Sequence, residues 1–485
     1  MPEEFNMPKF GASGPVVIRS PLDVSAFINS QPTRPFAILI VLVALGGVFV
    51  DAYDFTSIGI GVVQLKQDFQ LTPFEVGSIT AMMAVGALFG ALVGGHFTDK
   101  IGRLKMFLLD LVLLVFSAIG AALSFNLEML LIFRLLMGIG VGLDFPVALS
   151  FIAEFMAERN KGASVNLWQA TWFVAAICSG IVILPFYFAG LQDVLWRIAV
   201  GFGAVPALIV LALRYRFMNE SPLWAARNVS LNEAARILEK TYHVPVTVSA
   251  PETPTASPPA RSFLSLYSEL FTPQYRNRTF LISIICMTQS LEYFAIGFNL
   301  PIISTQLFGS KFLFAILGSM FFNLFGIAGG ASNALVTSRL GTRNIATIGY
   351  LVVVVALLSL YFSGPNAPII LEAGLIALFL LGHSFGPGSQ GMTMAALSYP
   401  TRMRGLGTGW GQGMVRVGSI LGFYFFPLVV HWIGFRDMTL ALAIVPAAGL
   451  LTTVMVRWEP VGHDPDEHDD SLLDALPALA EDNYA

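Results

Sequence analysis

Several ionisable side chains stand inside long apolar stretches of this sequence. They are Asp51, Asp54, Asp110, Arg134, Asp144, Glu292, His383 and Arg416. A charge at the centre of a lipid bilayer costs at least about 2.5–3.5 kcal/mol, so it normally faces a cavity or an oppositely charged partner. Residues of this kind mark ion and proton pathways, and they are the first candidates for chemistry.

Asp51 and Asp54 are three residues apart, which places both carboxylates on one face of a helix. Two buried carboxylates held close together favour the binding of a proton, because desolvation and mutual repulsion act in the same direction. We therefore expect at least one of them to bind and release protons. In the alternative interpretation, one forms a hydrogen bond between helices and the other pairs structurally with Arg134.

Two arginines need anionic partners because the guanidinium group stays charged. For Arg134 we expect an internal carboxylate. For Arg416, a bidentate contact to an anionic substrate group and a structural pair with Glu292 are both open. Asp144 stands two residues before Pro146, which opens the helix locally, so it either contacts a substrate or packs beside the kink.

Amides and tryptophans lie at mid-membrane depth in the same stretches, a combination typical of a ligand cavity. Any single tryptophan could instead anchor its helix at the membrane interface. The sequence contains no evident nucleophile–base or metal-binding constellation, so we expect no enzyme activity, no cofactor and no metal. The predicted substrate-binding residues are Gln169, Gln289, Glu292, Arg416, Asp144, Trp168, Trp172, Gln390, Trp410 and Gln412.

The elements that must position these residues are apolar helices. The chain has 485 residues, of which 55% are hydrophobic and 12% charged, whereas soluble domains carry about 25% charged residues. A spanning helix needs about twenty apolar residues. We therefore predict an all-α integral membrane protein of about twelve helices. The predicted spans are 36–63, 75–97, 105–125, 128–152, 163–189, 196–215, 279–306, 311–337, 344–363, 368–397, 404–431 and 436–457.

Basic residues concentrate in alternate loops, which places both termini in the cytoplasm of an inner or plasma membrane protein. No basic stripe indicates a nucleic-acid partner. The lipid bilayer, protons and a small molecule are the expected partners, and we expect a monomer to function. The predicted segments are a cytoplasmic N-terminal segment (1–35), a first six-helix half (36–215), a cytoplasmic linker (216–278) with an interfacial amphipathic helix at Leu231–Lys240, a second half (279–457) and an acidic tail (458–485).

The two predicted halves share a short sequence repeat. The six residues Thr98–Arg103 follow the second span and Ser338–Arg343 follow the eighth. The first of these lies in a stretch, Gly94–Lys105, that resembles the signature loop of the major facilitator superfamily, and Phe133–Gly142 resembles its fourth-span signature. Glu154 ends that signature as expected. Trp196-Arg197 and Glu220-Ser221-Pro222 are similar to two further marks of the sugar-porter and metabolite:proton symporter branch. The resemblance covers residues 36 to 460.

The resemblance implies transport by alternating access between two pseudo-symmetric halves. It implies proton coupling at Tyr53-Asp54 with Arg134 as partner, and substrate contacts at Gln169 and Gln289. It also implies a cytoplasmic gate latch formed by Asp99, Arg103, Glu154 and Arg159.

A phosphate:proton symporter pattern is also similar, at Asp51–Asp54 and Gly142–Pro146, with Phe145 where a tyrosine is usual and Glu292 near that group's acid.

Departures from the sugar-porter pattern bear on the substrate. The paired glutamines of the seventh span are reduced to Thr288-Gln289, and Arg416 stands where an aromatic residue is expected. The acidic latch residues of the second half are replaced by Ser338 and Leu397. We predict proton-coupled symport of an organic acid anion, which can be aromatic. The alternatives are a sugar or polyol symporter, a phosphate symporter, or a non-transporting receptor with the same fold.

Overall fold

The computed structural model describes residues 16–30, 35–156, 158–249, 263–309, 311–364, 366–463 and 465. Almost all of this part of the chain is helical. The elements are β1 (Val16–Ile18), α1 (Pro21–Ser30), α2 (Pro35–Asp68), α3 (Pro73–Ile101), α4 (Arg103–Ala122), α5 (Leu127–Phe155), α6 (Glu158–Phe188), a 3-10 turn (Gln192–Val194), α7 (Leu195–Gly201), α8 (Ala204–Phe217), α9 (Pro222–Asn228), α10 (Leu231–Tyr242), β2 (Val246–Val248), α11 (Phe263–Glu269), α12 (Arg276–Ile296), α13 (Leu300–Phe308), α14 (Phe312–Leu340), α15 (Thr342–Phe362), α16 (Ile369–Phe385), α17 (Pro387–Leu397) and α18 (Arg404–Met455).

Eleven helical segments of the described chain are long and apolar enough to cross a membrane. The predicted all-α membrane class is thereby confirmed. The predicted span 404–431 coincides with the first part of α18, which is not among the eleven. Within α18 the backbone breaks at Gly434, where φ is 82°, so the two last predicted spans lie on either side of this kink. The arrangement is consistent with twelve spans.

The two halves pack against each other along two seams, α6 against α14 and α3 against α18. Small residues allow the backbones to approach closely there, as in other membrane helix pairs. An ideal Cβ at Gly95 of α3 would lie only 2.5 Å from the carbonyl oxygen of Gly405 in α18. A larger residue at position 95 would push the halves apart on this seam.

The internal repeat is also seen at the N-termini of two corresponding helices, α4 in the first half and α15 in the second. Gly102 and Gly341 have φ of 108° and 77° and precede α4 and α15, respectively. The carboxylate of Glu220 accepts hydrogen bonds of 2.8 and 3.1 Å from the first two backbone N–H groups of α4. The carboxylate of Glu459 accepts two bonds of 2.9 Å from the equivalent groups of α15. Each carboxylate complements the positive end of a helix dipole, once in each half.

Outside the bundle, the N-terminal segment and the linker build one small core, which we call the cap subdomain: β1, α1, α9, α10 and β2. Strand β1 pairs in parallel with β2. The apolar face of α10, including Ile237 and Leu238, is buried against Val24 and Phe27 of the N-terminal segment. The amphipathic helix predicted at Leu231–Lys240 is present as α10, and its apolar face is covered by protein instead of being left free for a membrane interface. The predicted acidic tail lies, from residue 466 onward, outside the described residues.

Candidate functional site

A cavity with an empty volume of about 370 Å³ lies between the two halves. Helices α5 and α6 of the first half and α12, α16 and α18 of the second contribute its walls. The wall combines aromatic rings, amides, one imidazole and one guanidinium. The lining residues are Phe145, Trp168, Gln169, Trp172, Gln289, Ser290, Tyr293, Phe294, His383, Gln412, Val415 and Arg416.

Arg416 is the cationic group of this cavity. It is 1% exposed, and its guanidinium lies 4.7 Å from the ring centre of Phe55. Its Nε and Nη1 atoms have no hydrogen-bond partner among the described residues. The pair with Glu292 that the sequence left open is not formed, and the carboxylate that interacts electrostatically with Arg416 is Asp51 of α2. A buried guanidinium with unused donors is suited to a ligand carboxylate.

Glu292 lies behind the cavity wall instead of in it. Its Oε1 is 3.0 Å from Nδ1 of His383, and both side chains are buried. The imidazole stacks on the ring of Tyr293, with 5.1 Å between centroids and 16° between planes. His383 therefore faces the cavity where the sequence predicted Glu292, and the sequence did not predict their pairing.

The predicted glutamines and tryptophans of the cavity are brought together from both halves. Gln169, Trp168 and Trp172 come from α6, and Gln289 and Gln412 from α12 and α18. Trp172 donates a 3.0 Å hydrogen bond to the Tyr293 hydroxyl across the interface between halves. Within the described chain, neither the oxygen nor the nitrogen of the Gln412 amide has a hydrogen-bond partner, although the side chain is buried.

Two predicted substrate residues lie outside the cavity. Gln390 donates a 2.7 Å hydrogen bond to Oδ1 of Asn333, within a polar network between the halves. Trp410 donates a 2.7 Å hydrogen bond to Ser283 and packs against Phe271 beside the linker. Both predictions rested on the position of a residue along its helix, which does not determine the direction in which the side chain points.

The polar network that holds Gln390 was not predicted. Asn166 of α6 donates hydrogen bonds to Asn333 and Thr337 of α14, at 3.0 and 2.6 Å. Thr393 of α17 donates to the Asn166 oxygen. These bonds tie the first half to the second with neutral groups only. Asparagines within apolar runs were the available sequence signal.

Asp144 is also absent from the cavity wall, so its assignment as a substrate contact is corrected. Its carboxylate forms a 2.7 Å ion pair with Arg214 of α8, which also pairs with Asp110 at 3.3 Å. All three side chains are fully buried. Arg214 was overlooked because it lies at the end of a predicted span, where a basic residue is ordinary.

Asp54 and Arg134 are close, but not in the predicted arrangement. Nη1 of Arg134 donates a 3.0 Å hydrogen bond to the backbone carbonyl of Asp54. Both carboxylate oxygens of Asp54, and both of Asp51, have no hydrogen-bond partner among the described residues. The two acids are buried, at 1% and 0% exposure. Buried carboxylates without hydrogen bonds favour the protonated form.

Three of the predicted latch residues meet at one end of the bundle. Arg103 forms hydrogen bonds of 2.7 and 3.1 Å to the two carboxylate oxygens of Glu154 and one of 3.0 Å to Asp99. The Asp99 carboxylate accepts hydrogen bonds of 3.1 and 3.0 Å from the backbone N–H groups of Gly405 and Leu406, in the other half. The side chain of the fourth residue, Arg159, lies outside the described part of the structure.

Comparison with known proteins agrees with this architecture. The sequence matches the Major Facilitator Superfamily over residues 44–390, which is most of the chain. It is 28% identical over 442 residues to the putative metabolite transport protein YaaU of Escherichia coli, covering 89% of this chain and 96% of that protein. It is 25% identical over 449 residues to the 4-hydroxybenzoate transporter PcaK of Pseudomonas aeruginosa, covering 91% and 97%.

Among solved structures, the proton:xylose symporter XylE bound to 6-bromo-6-deoxy-D-glucose superposes with a TM-score of 0.72 at 20% identity, covering 87% of this chain and 95% of that one. This likeness shows the fold. The predicted resemblance is confirmed, and with it the assignment to transporters over enzymes. The chain belongs to the major facilitator superfamily and is an integral, multi-pass membrane transporter of small molecules.

Proposed function

We propose that this protein is a proton-coupled symporter of a small organic acid anion, preferentially an aromatic one. The observation that carries the proposal is Arg416, a buried cation in the cavity with two nitrogens that have no hydrogen-bond partner among the described residues. A carboxylate can accept two parallel hydrogen bonds from a guanidinium. The bound anion would accept hydrogen bonds from these two nitrogens.

The rest of the cavity wall supports an aromatic substrate. Trp168, Trp172, Tyr293 and Phe294 present rings to the same space as Arg416. Offset or edge-to-face contacts with such rings stabilise a flat aromatic ligand beyond the burial of its area. The relative from Pseudomonas aeruginosa named as a 4-hydroxybenzoate transporter supports the same substrate class.

Coupling to protons would run through Asp51. Asp51 interacts electrostatically with Arg416. When a substrate carboxylate binds Arg416, it adds a negative charge beside Asp51, and a proton on Asp51 would compensate that charge. Substrate and proton therefore bind together. Asp54, beside Arg134, is the second acid of the same helix and the alternative site of protonation.

Reorientation would occur by rocking of the two halves around the cavity. The Asp99–Arg103–Glu154 cluster would latch one end, because Asp99 accepts backbone hydrogen bonds from the second half. With the predicted orientation this end is cytoplasmic, as are both termini. A single chain contains the complete cavity, so a monomer would suffice.

The test is substrate-induced proton uptake into proteoliposomes, with benzoate, 4-hydroxybenzoate, xylose and phosphate compared. We expect alkalinisation of the medium with the aromatic acids, abolished in Asp51→Asn and strongly reduced in Arg416→Gln. Glu233→Gln, a change at a half-buried position in α10 away from the cavity, is the control and should behave as wild type. Proton uptake with xylose alone would refute the anion assignment. Uptake of anion without proton movement would refute symport.

A sugar or polyol is the second candidate, favoured by the amides. Gln169, Gln289 and Gln412 all line the cavity, and such groups bind hydroxyls as well as carboxylates. In that case Arg416→Gln should leave xylose uptake largely intact.

A further inference from the structure

We propose that His383, held in place by Glu292, recognises a hydroxyl group on the substrate's aromatic ring. The substrate class is thereby narrowed to hydroxylated aromatic carboxylates, bound by the carboxylate at Arg416 and by the hydroxyl at His383. The inference rests on the function proposed above. It concerns a pair of residues to which that function assigns no role.

The pairing with Glu292 decides which imidazole nitrogen serves the cavity. Nδ1 of His383 is 3.0 Å from Glu292 Oε1, so this nitrogen is committed to the carboxyl group. The stacked ring of Tyr293 fixes the plane of the imidazole on one side, and Phe379 stacks on it at 6.2 Å. His383 lines the cavity, and Nε2 is the nitrogen left for a ligand.

The position of the proton in the Glu292–His383 pair decides whether Nε2 acts as a hydrogen-bond donor or as an acceptor. Glu292 is fully buried, and its Oε2 has no hydrogen-bond partner in the described chain. With an ionised Glu292 accepting from Nδ1–H, a neutral His383 offers a lone pair at Nε2. With a protonated Glu292 donating to Nδ1, Nε2 carries the hydrogen and donates. A hydroxyl group is both donor and acceptor and complements either state.

A second polar group reaches the same place from the first half. An ideal Cβ at Gly388 would lie 2.5 Å from Nε2 of Gln169 and 2.7 Å from Nε2 of His383. The amide of Gln169 and the imidazole of His383 therefore converge on Gly388, where any side chain would collide with both of them. Oε1 of Gln169 is buried and has no hydrogen-bond partner among the described residues. One ligand hydroxyl could donate to one of these groups and accept from the other.

Two other polar groups of the wall already have hydrogen-bond partners. The Gln289 amide donates to the Cys286 carbonyl at 3.2 Å, and the Trp172 indole donates to Tyr293. The Gln412 amide is unpartnered among the described residues, but it lies one helical turn from Arg416 in α18 and so belongs to the carboxylate end of the cavity. The Glu292–His383 pair and Gln169 are therefore the groups that we assign to a second substituent. The same pair discriminates against unsubstituted acids, because a buried polar group left without its partner is costly.

The experiment measures uptake of 4-hydroxybenzoate and benzoate into proteoliposomes by wild type, His383→Leu and His383→Gln. Wild type should prefer the hydroxylated acid by roughly tenfold, the worth of one good hydrogen bond. His383→Leu should reduce this ratio to about one, because it weakens uptake of 4-hydroxybenzoate and removes the penalty on benzoate. His383→Gln keeps a polar atom near Nε2 and should restore part of the preference.

His383→Gln guards against a variant that merely misfolds, and Gly388→Ala perturbs the same place without changing either polar side chain. The added methyl group crowds the point between Gln169 and His383 and should also lower the ratio. Gly374→Ala in α16 is its matched control, because no atom of the described residues lies within 4 Å of the added carbon, and it should leave the ratio unchanged. Equal losses for both acids in His383→Leu, or equal uptake of both by wild type, would overturn the inference while leaving the proposed function intact. If wild type takes up neither acid, the proposed function itself fails.

Discussion

Removing Arg214 should destabilise the first half of the bundle more than any surface ion pair can. Its guanidinium pairs with Asp144 at 2.7 Å and with Asp110 at 3.3 Å, and all three side chains are inaccessible to solvent. Arg214→Met would leave two buried carboxyl groups without their cation. Breaking a buried pair from one side costs about 3–5 kcal/mol. We expect a loss of that order in the free energy of unfolding.

Arg236 is the control, because it has the same side chain as Arg214 but is exposed to solvent. It pairs with Glu233 at 2.7 Å, and its side chain is 76% exposed. An exposed pair contributes about 0–1 kcal/mol, so Arg236→Met should scarcely change stability. The assay is thermal unfolding in detergent micelles, followed by intrinsic tryptophan fluorescence.

A double variant distinguishes the destabilisation caused by an unpaired buried charge from the destabilisation caused by lost packing. Asp144→Asn, combined with Arg214→Met, removes one of the stranded carboxylates and should recover part of the stability. The reasoning is refuted if Arg214→Met unfolds at the same temperature as Arg236→Met. It also fails if the double variant is destabilised by the full sum of the two single changes.

Three further changes test other parts of the structure. Asn333→Leu removes the acceptor shared by Asn166 and Gln390, which weakens the contact between the two halves. The distance between spin labels on α6 and α14, measured by double electron–electron resonance, should therefore shift toward longer values. Phe27→Ala empties a fully buried position of the cap subdomain and should cost about 3–5 kcal/mol locally, seen as faster proteolysis of the linker. Burial raises the pKa of Glu220, so the folded protein binds that proton more tightly than the unfolded chain does. Its stabilising contribution is therefore largest at low pH and declines as pH rises above about 4.5, and Glu220→Gln should flatten this part of the Tm profile.

The sequence by itself determined the fold class and much of the cavity's chemistry. Apolar stretches of spanning length are a local property, so the helices could be predicted with no knowledge of their neighbours. The repeat of Thr98–Arg103 at Ser338–Arg343 indicated two related halves. Arg416, Gln169 and Trp172 were predicted from their residue types within apolar spans, because such groups are rare in lipid-facing positions, and the family resemblance added to the predictions for Arg416 and Gln169.

Tertiary structure decided which side chains face one another. Depth along a helix follows from sequence position, but rotation about its axis is set by packing, and this turned Trp410 and Gln390 away from the cavity. Asp144 met Arg214 because four helices converge there. The pairing of β1 with β2 joins segments more than two hundred residues apart in sequence, and a strand of three residues carries almost no local signal. The hydrophobicity that places a helix in the membrane can be read from each residue in turn. The partner of a buried charge, in contrast, is determined only when the helices have packed together.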